Sequence, residues 1–252
     1  MLGELTADAC AAVTGRPDAA ALLRGIDTAN LFLAPLDDER TSFRYHHLVR
    51  RLLRAELRAR DRAREHKLQR RAGEWFESAG DARRAARHFL AAQHADRALA
   101  LLQDRAVADF LRDPAQPAPL DLSAVDPALL AGAPDQLLAV ALELLMAGEV
   151  ARGGAYLDLL ERAGPPIPPD SRLAARLAAV RSVRYGLTGQ MEGSIAEALT
   201  VRAIQERTQL ADEWTAVVPI NLPRAYQWLE DYEAVQLETA AALAAPELTE
   251  PV

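Results

Sequence analysis

The segment 31–89 decides the fold, and three parts of it carry the information: Leu-Phe-Leu-Ala-Pro-Leu-Asp-Asp-Glu-Arg at 31–40, Phe-Arg-Tyr-His-His-Leu-Val at 43–49 and Arg-Ala-Gly-Glu-Trp-Phe at 71–76. An apolar run, a polar turn and a second run of β-favouring residues follow one another, which predicts a β-hairpin over 31–46. From Leu48 onward, leucines recur at the spacing of one helical face. The hairpin is therefore expected to lead directly into a helix.

The apolar residues of this hairpin need a partner surface. We expect Leu31, Leu33 and Leu36 to pack on the helices predicted at 18–29 and 48–58. The polar residues 37–40 are then left as an exposed tip.

Two short helical patterns precede the hairpin. The first starts at Thr6, a candidate N-cap, and stops at Gly15, while the second covers 18–29. The order of elements is helix, helix, strand, turn, strand and helix. This is the order of a winged helix, which we assign to residues 1–62. The second helix offers Arg24 as its only basic side chain, too little positive charge for a major-groove reader. We therefore predict no direct DNA binding.

Glycines punctuate a series of helix pairs in the rest of the chain. Turns between paired helices are predicted at Gly80, Gly148, Gly189 and about Asp231, and the last three are 41 and 42 residues apart. A glycine at the end of a helix allows the left-handed turn that lets the next helix fold back. The first helices of the later pairs are predicted at 134–147, 171–187, 210–220 and 223–230.

The predicted fold is mostly α: a winged-helix-like segment with a β-hairpin, followed by an α-helical, tetratricopeptide-like superhelix. We divide it into residues 1–62, helical linker repeats at 63–113 and an incomplete array of repeats at 114–252. Proline-rich breaks at 114–119 and 165–169 interrupt the helices, and Asp170 or Ser171 is expected to cap the helix that follows the second break.

Composition excludes several kinds of protein. The chain has 252 residues, half of them apolar, and Cys10 is its only cysteine, so no disulfide framework is possible. No apolar stretch approaches the roughly 20 residues that span a bilayer, and no signal peptide is recognisable, so a cytoplasmic location is expected. The net charge is −7, although residues 39–113 hold 18 Arg and Lys against 11 Asp and Glu.

No catalytic or metal-binding pattern is present. The sequence contains no Gly-x-x-x-x-Gly-Lys-Ser/Thr loop to hold a triphosphate. His66, His88 and His94 lack the cysteine or carboxylate spacing of a metal site. We therefore expect no enzyme activity, no cofactor and no metal.

The order of elements and a set of short motifs resemble the MalT-like regulators, which are ATP-dependent transcription activators of the LuxR class. The resemblance is strongest over 22–112 and rests on Ala-Asn-Leu-Phe-Leu at 29–33, Pro-Leu-Asp at 35–37, Phe-Arg-Tyr-His-His-Leu at 43–48 and the segment 65–78. It implies a winged helix that closes an ATPase module and a superhelix that senses the signal. The chain would then be the central part of such a regulator, without the ATPase and the C-terminal helix-turn-helix.

Two interpretations of His46 stay open. The resemblance implies a winged-helix histidine that contacts the phosphate of ADP and helps to hold an inactive state, by a charge-assisted hydrogen bond. The alternative is a histidine that bonds to the backbone at the base of the hairpin.

The acidic repeats offer a predicted ligand surface. Polar and aromatic side chains of the first helices, expected on a concave face, are Arg181, Arg184, Tyr185, Trp214, Asn221 and Arg224. They would bind a small-molecule inducer or a regulatory protein, whereas the alternative is that they only solvate the array. A stand-alone helical-repeat adaptor for protein partners is the alternative function.

Overall fold

The computed structural model describes residues 2–112, 120–122, 125, 127–130, 132–210 and 212–244. The chain is mostly helical, with one small sheet near the N-terminus, as predicted. It forms two compact units, Met1–Leu101 and Leu102–Val252. The predicted division at 62 and 113 stays a prediction, and the break at 114–119 lies outside the described residues. Within the described part, no helix is long and apolar enough to span a bilayer.

The first unit joins a three-stranded sheet to six helices. Its elements are β1 (Leu5–Thr6), α1 (Ala7–Thr14), α2 (Ala19–Thr28), β2 (Leu33–Pro35), β3 (Ser42–Tyr45), α3 (His47–Arg60), α4 (Arg62–Ser78), α5 (Ala82–Ala91) and the start of α6 (Ala95–Arg112). The predicted helix, helix, hairpin and helix are therefore confirmed. Thr6 caps α1 by accepting a hydrogen bond from the N–H of Ala9 at 3.3 Å, and Gly15 ends this helix in the left-handed conformation.

The sheet contains a strand that was not predicted. Its order is β1-β3-β2 and both pairs are antiparallel, with Leu5 opposite Phe43 and Leu33 opposite Tyr45. A strand of two residues has no alternating pattern, so only its pairing with the hairpin reveals β1.

The hairpin packs differently from the prediction. Leu33 is buried with Leu23 of α2 and Phe43, as expected. Leu31 and Leu36, however, are 52% and 45% exposed, so the prediction was wrong for both. The alternation of faces extends only over the three residues of β2, and these two leucines lie outside it. Helix α3 contributes no buried residue, so the hairpin has no core against it.

A second core of the first unit lies between α1 and α4. Ala9 and Val13 pack on Ala72, and Trp75 and Phe76 lie partly buried against them. A β-carbon on Gly73 would lie only 2.8 Å from the ring of Phe89. A glycine is therefore needed here for α5 to approach α4 this closely.

The second unit is built from helix pairs. Its elements are a 3-10 helix (Pro127–Leu130), α7 (Pro134–Met146), α8 (Val150–Ala163), α9 (Arg172–Leu187), α10 (Met191–Thr208), a 3-10 helix (Glu213–Val217), α11 (Val218–Trp228) and α12 (Tyr232–Ala244). The members of each pair, α7/α8, α9/α10 and α11/α12, pack on one another, and α9 also contacts α7 and α11.

The turns between paired helices lie where the glycines predicted them. Gly80, Gly148 and Gly189 have φ of 78–79°. The residue after each glycine closes the turn with a backbone hydrogen bond to the helix, for example from Gln190 N to Tyr185 O at 2.9 Å. The turn before Asp231 is the same, with Glu230 in place of glycine.

The last two predicted first helices were wrong. Instead of helices at 210–220 and 223–230, the chain forms a 3-10 helix and then α11, which continues through Pro223. The helices predicted at 134–147 and 171–187 are confirmed as α7 and α9. Ser171 caps α9 by accepting a hydrogen bond from Ala174 N at 3.1 Å.

Candidate functional site

The first candidate surface surrounds the start of α3, where His46 lies. The backbone N–H of His46 donates to the carbonyl oxygen of Phe32 at 3.1 Å, which fixes the base of the hairpin to this helix. Its imidazole is exposed, makes no capping hydrogen bond and lies 4.4 Å from the ring of His47. The hairpin base is thus bonded through the backbone of His46, and the ring remains accessible. A role in nucleotide contact stays a prediction.

Helix α3 exposes its most apolar side. Leu48, Leu52 and Leu53 are 58%, 67% and 49% exposed, while Val49 and Leu57 are half-buried. Three further exposed apolar side chains belong to the hairpin segment before this helix, and the carbonyl oxygen of Phe32 accepts from the N–H of His46 next to the helix start. We call the whole set the wing surface: Leu31, Phe32, Leu36, Leu48, Leu52 and Leu53.

An ion pair fixes the orientation of α3. Arg58 donates from Nε and Nη2 to the two carboxylate oxygens of Glu65 on α4, at 2.9 Å each. Glu65 is buried, and this bidentate hydrogen bond from Arg58 holds its pKa below the ordinary value for a glutamate. The ion pair therefore ties the C-terminal end of α3 to the first turn of α4.

The two α9 arginines among the predicted ligand residues form ion pairs with α8. Arg181 on α9 donates to Glu161 on α8 at 2.6 Å and lies 3.6 Å from Glu197 on α10. Arg184 donates to Asp158 on α8 at 2.8 Å. Both arginines are thus engaged by carboxylates of the neighbouring helices. Their role in ligand binding stays a prediction.

Trp214 is a core residue rather than an exposed stacking surface, which corrects the expectation for its ring. It is 1% exposed, and its Nε1–H donates to the carbonyl oxygen of Gln103 at 3.1 Å. The guanidinium of Arg176 lies 4.9 Å from its ring centroid and donates to Asp212 at 2.9 Å. Asp212 also accepts a hydrogen bond from the backbone N–H of Trp214 and caps the 3-10 helix. The same carboxylate thus binds both Arg176 and the backbone of Trp214.

Tyr185 borders a cavity of about 530 Å³ at the turn between α9 and α10. Its ring lies against the backbone at Gly193, where a β-carbon would meet it at 3.2 Å. Glu192 and Glu197 also line the cavity, and burial raises the pKa of the Glu197 carboxyl. These two carboxylates were not among the predicted site residues, because no sequence spacing distinguishes them from other acidic residues of the helices.

Asn221 and Arg224 contact each other on α11. Asn221 is 5% exposed, and its Oδ1 accepts a hydrogen bond from Nη2 of Arg224 at 3.3 Å. The guanidinium of Arg224 lies over Gly186 of α9. Among the six predicted residues, Asn221 and Arg224 are thus joined by a hydrogen bond.

Comparison with known proteins bears on the first unit. Residues 1–65 match the family model of the MalT winged helix domain. No curated protein and no solved structure matches the chain. The matched segment contains the sheet, α1, α2 and α3, and thus the whole wing surface. It supports a MalT-like origin and a link to transcription regulation.

Proposed function

We propose that this chain acts as the sensor and interaction part of a MalT-type transcription regulator of the LuxR class. In this proposal the wing surface packs against a nucleotide-binding module, and the helical unit receives the signal as a tetratricopeptide-like superhelix. The chain itself performs no catalytic step and makes no direct contact with DNA.

The observation that carries the proposal is the exposed apolar side of α3. An amphipathic helix normally buries its apolar side, yet Leu48 and Leu52 both remain more than half exposed. The neighbouring Phe32 is 67% exposed. Several exposed large apolar side chains on one helix and on the hairpin joined to it are typical of a surface that another protein covers.

In this proposal, His46 links the wing surface to the bound nucleotide by a hydrogen bond. It precedes the apolar side of α3, and its exposed imidazole would meet whatever module covers Leu48. A ring N–H can donate a charge-assisted hydrogen bond to a phosphate oxygen. The proposal therefore assigns His46 the detection of bound ADP in the closed state.

A stand-alone adaptor is the second candidate, and the last helix pair favours it. Trp228, Tyr232 and Leu237 are 71%, 62% and 67% exposed at the junction of α11 and α12 and along α12. Aromatic residues on a protein surface are frequent anchors of protein–protein contacts. A partner bound at this end of the helical unit would need no nucleotide-binding module.

Binding in trans tests the regulator proposal. The isolated nucleotide-binding module of a MalT-type regulator, loaded with ADP, is titrated with the chain in a calorimeter. Leu48→Asp with Leu52→Asp should abolish binding, because each places a carboxylate in an apolar contact. Both positions are exposed, so the variant should fold normally, as circular dichroism would verify.

Two further variants serve as controls for this titration. Arg51→Asp introduces the same group at an exposed position of the same helix and should retain binding. His46→Ala should weaken binding to the ADP-loaded module more than to the empty one. If the wild-type chain does not bind, or if all α3 variants bind equally, the wing surface is not the docking site.

A further inference from the structure

The amide nitrogen of Asn221 is a buried donor without an acceptor. This side chain is 5% exposed, and Nδ2 has no hydrogen-bond partner within the described part of the chain. Its Oδ1 is engaged by Arg224, which orients the amide. Buried polar groups are almost always hydrogen-bonded, so an unpaired one points to a water, an ion or a ligand that completes the site.

Arg224 is the second hydrogen-bond donor at this place, and no carboxylate of the described residues pairs with it. Of the nine arginines in the described range 132–244, eight lie within 4.0 Å of an acidic side chain, namely Arg152, Arg162, Arg172, Arg176, Arg181, Arg184, Arg202 and Arg207. Arg224 has no such neighbour among the described residues. Its guanidinium, on an exposed residue, therefore keeps most of its five donors available.

Gly186 makes room for this guanidinium. A β-carbon at position 186 would lie 2.8 Å from Nη2 of Arg224, so any other residue would displace the arginine. The carbonyl oxygens of Arg184 and Tyr185, at the same end of α9, already accept from the N–H groups of Thr188 and Gln190. Arg224 thus rests on α9 without being bound to these carbonyls.

We propose that Asn221 and Arg224 form an oxyanion site between α9 and α11, which takes a carboxylate or phosphate group of a small ligand. The inference rests on the proposed sensor role of the helical unit and names the chemistry of its signal. Both side chains present only donors to the ligand, which excludes a cation. A neutral hydroxyl could accept from Asn221 but would leave the charge of Arg224 without a counter-ion.

Nuclear magnetic resonance of the full chain tests the site directly. The side-chain amide signals of Asn221 are identified by their loss in Asn221→Leu, and their shifts are followed during titration with succinate or inorganic phosphate. Succinamide and chloride, the latter at matched ionic strength, are the neutral and simple-anion controls. We expect saturable shifts with at least one oxyanion and none with either control.

Variants separate an oxyanion site from a structural pair. Arg224→Gln should weaken oxyanion binding by about tenfold or more, as expected for the loss of a charged hydrogen bond. Arg207→Gln removes one positive charge from an arginine elsewhere in the same unit and should leave binding unchanged. Asn221→Leu, titrated while the Nε–H signal of Arg224 is followed, should weaken oxyanion binding without lowering the melting temperature, because Nδ2 has no partner and only the 3.3 Å hydrogen bond from Arg224 is lost.

The two titrations identify the class of ligand. Shifts with succinate alone assign a carboxylate ligand, and shifts with phosphate alone assign a phosphorylated one. The site is disproved if neither anion moves the Asn221 amide, or if Arg224→Gln lowers the melting temperature while binding is unchanged. In that event a thermal-shift screen with neutral sugars and metabolites still tests the sensor role separately, since a ligand of the folded state raises the melting temperature.

Discussion

A single buried histidine makes the stability of the first unit depend on pH. His88 on α5 is 8% exposed, and its Nδ1–H donates to Oε1 of Gln69 at 2.6 Å, because an amide oxygen can only accept. Its ring stacks on Phe76 with centroids 5.3 Å apart. Burial lowers the pKa of His88 from 6.5 to about 4, and nearby positive charges, including Arg54, act in the same direction.

This shift predicts a loss of stability in mild acid. The unfolded chain binds a proton at His88 below about pH 6.5, whereas the folded chain does so only near pH 4. The stabilising contribution is therefore complete above pH 6.5 and is lost as the pH falls toward 4. Its full size is of the order of 3 kcal/mol. Urea unfolding at a series of pH values measures it.

Two variants identify the source of that pH dependence. His88→Gln should flatten the profile between pH 6.5 and 4, while His94→Gln, at an exposed histidine just before α6, should leave it unchanged. If His88→Gln retains the wild-type slope, another group is responsible.

At the scale of elements, the hairpin and α3 divide the winged helix into a packed side and an open side. Leu33 belongs to the core with α2, whereas the leucines before and after β2 are exposed. The tip is stabilised by Asp37, whose carboxylate accepts from Thr41 N at 2.8 Å, and by Arg40, which donates to Asp27 at 3.0 Å. The hairpin is thus fixed at both ends, although only one of its leucines is buried.

We predict that Leu33→Asp destabilises the fold by about 3 kcal/mol or more, because it buries an unpaired carboxylate. Leu36→Asp makes the same substitution at an exposed position of the same hairpin and should change stability by less than about 0.5 kcal/mol. Glu39→Ala, at the exposed tip, should matter equally little. Thermal unfolding compares the three variants. Similar effects at positions 33 and 36 would contradict the assignment of the core.

At the scale of the whole molecule, charge argues against DNA as a partner. The net charge is −7, and residues 114–252 hold 9 Arg against 19 Asp and Glu. The basic range 39–113 has several of its arginines in ion pairs, such as Arg58 with Glu65 and Arg97 with Glu77. Phosphate contacts supply most of the nonspecific affinity for DNA, so the acidic range 114–252 should repel DNA and only the basic range could contribute to binding.

The prediction is a weak complex of the intact chain with duplex DNA. Fluorescence anisotropy should detect affinity no better than micromolar, and the complex should dissociate as salt rises, because phosphate contacts form with release of counterions and added salt opposes that release. A tight complex that persists in high salt and prefers one promoter sequence would show base recognition and refute the proposed division of labour.

The sequence by itself determined most of the helices, the hairpin and many of their ends, but neither β1 nor the helices of 210–230. Helical spacing, the N-cap at Thr6 and the glycines at 80, 148 and 189 act within a few residues, so local patterns were sufficient to predict them. The turn at Gln93 shows the limit of this reasoning. It has the same left-handed conformation, with φ of 63°, but no glycine that would have predicted it.

Only the tertiary structure decided which side of each element is covered. Arg176 joins Asp135 and Asp212, which are 41 and 36 residues away in sequence, and this network places Trp214 in the core instead of on a binding face. The same holds for the candidate site, since Arg224 and Asn221 were predicted as polar residues of one helix. Their N–H groups are available to a ligand because Arg224 packs over Gly186 of α9 and no carboxylate of the described residues lies near it. Such pairings depend on how the helices pack, because side chains far apart in sequence leave no local pattern.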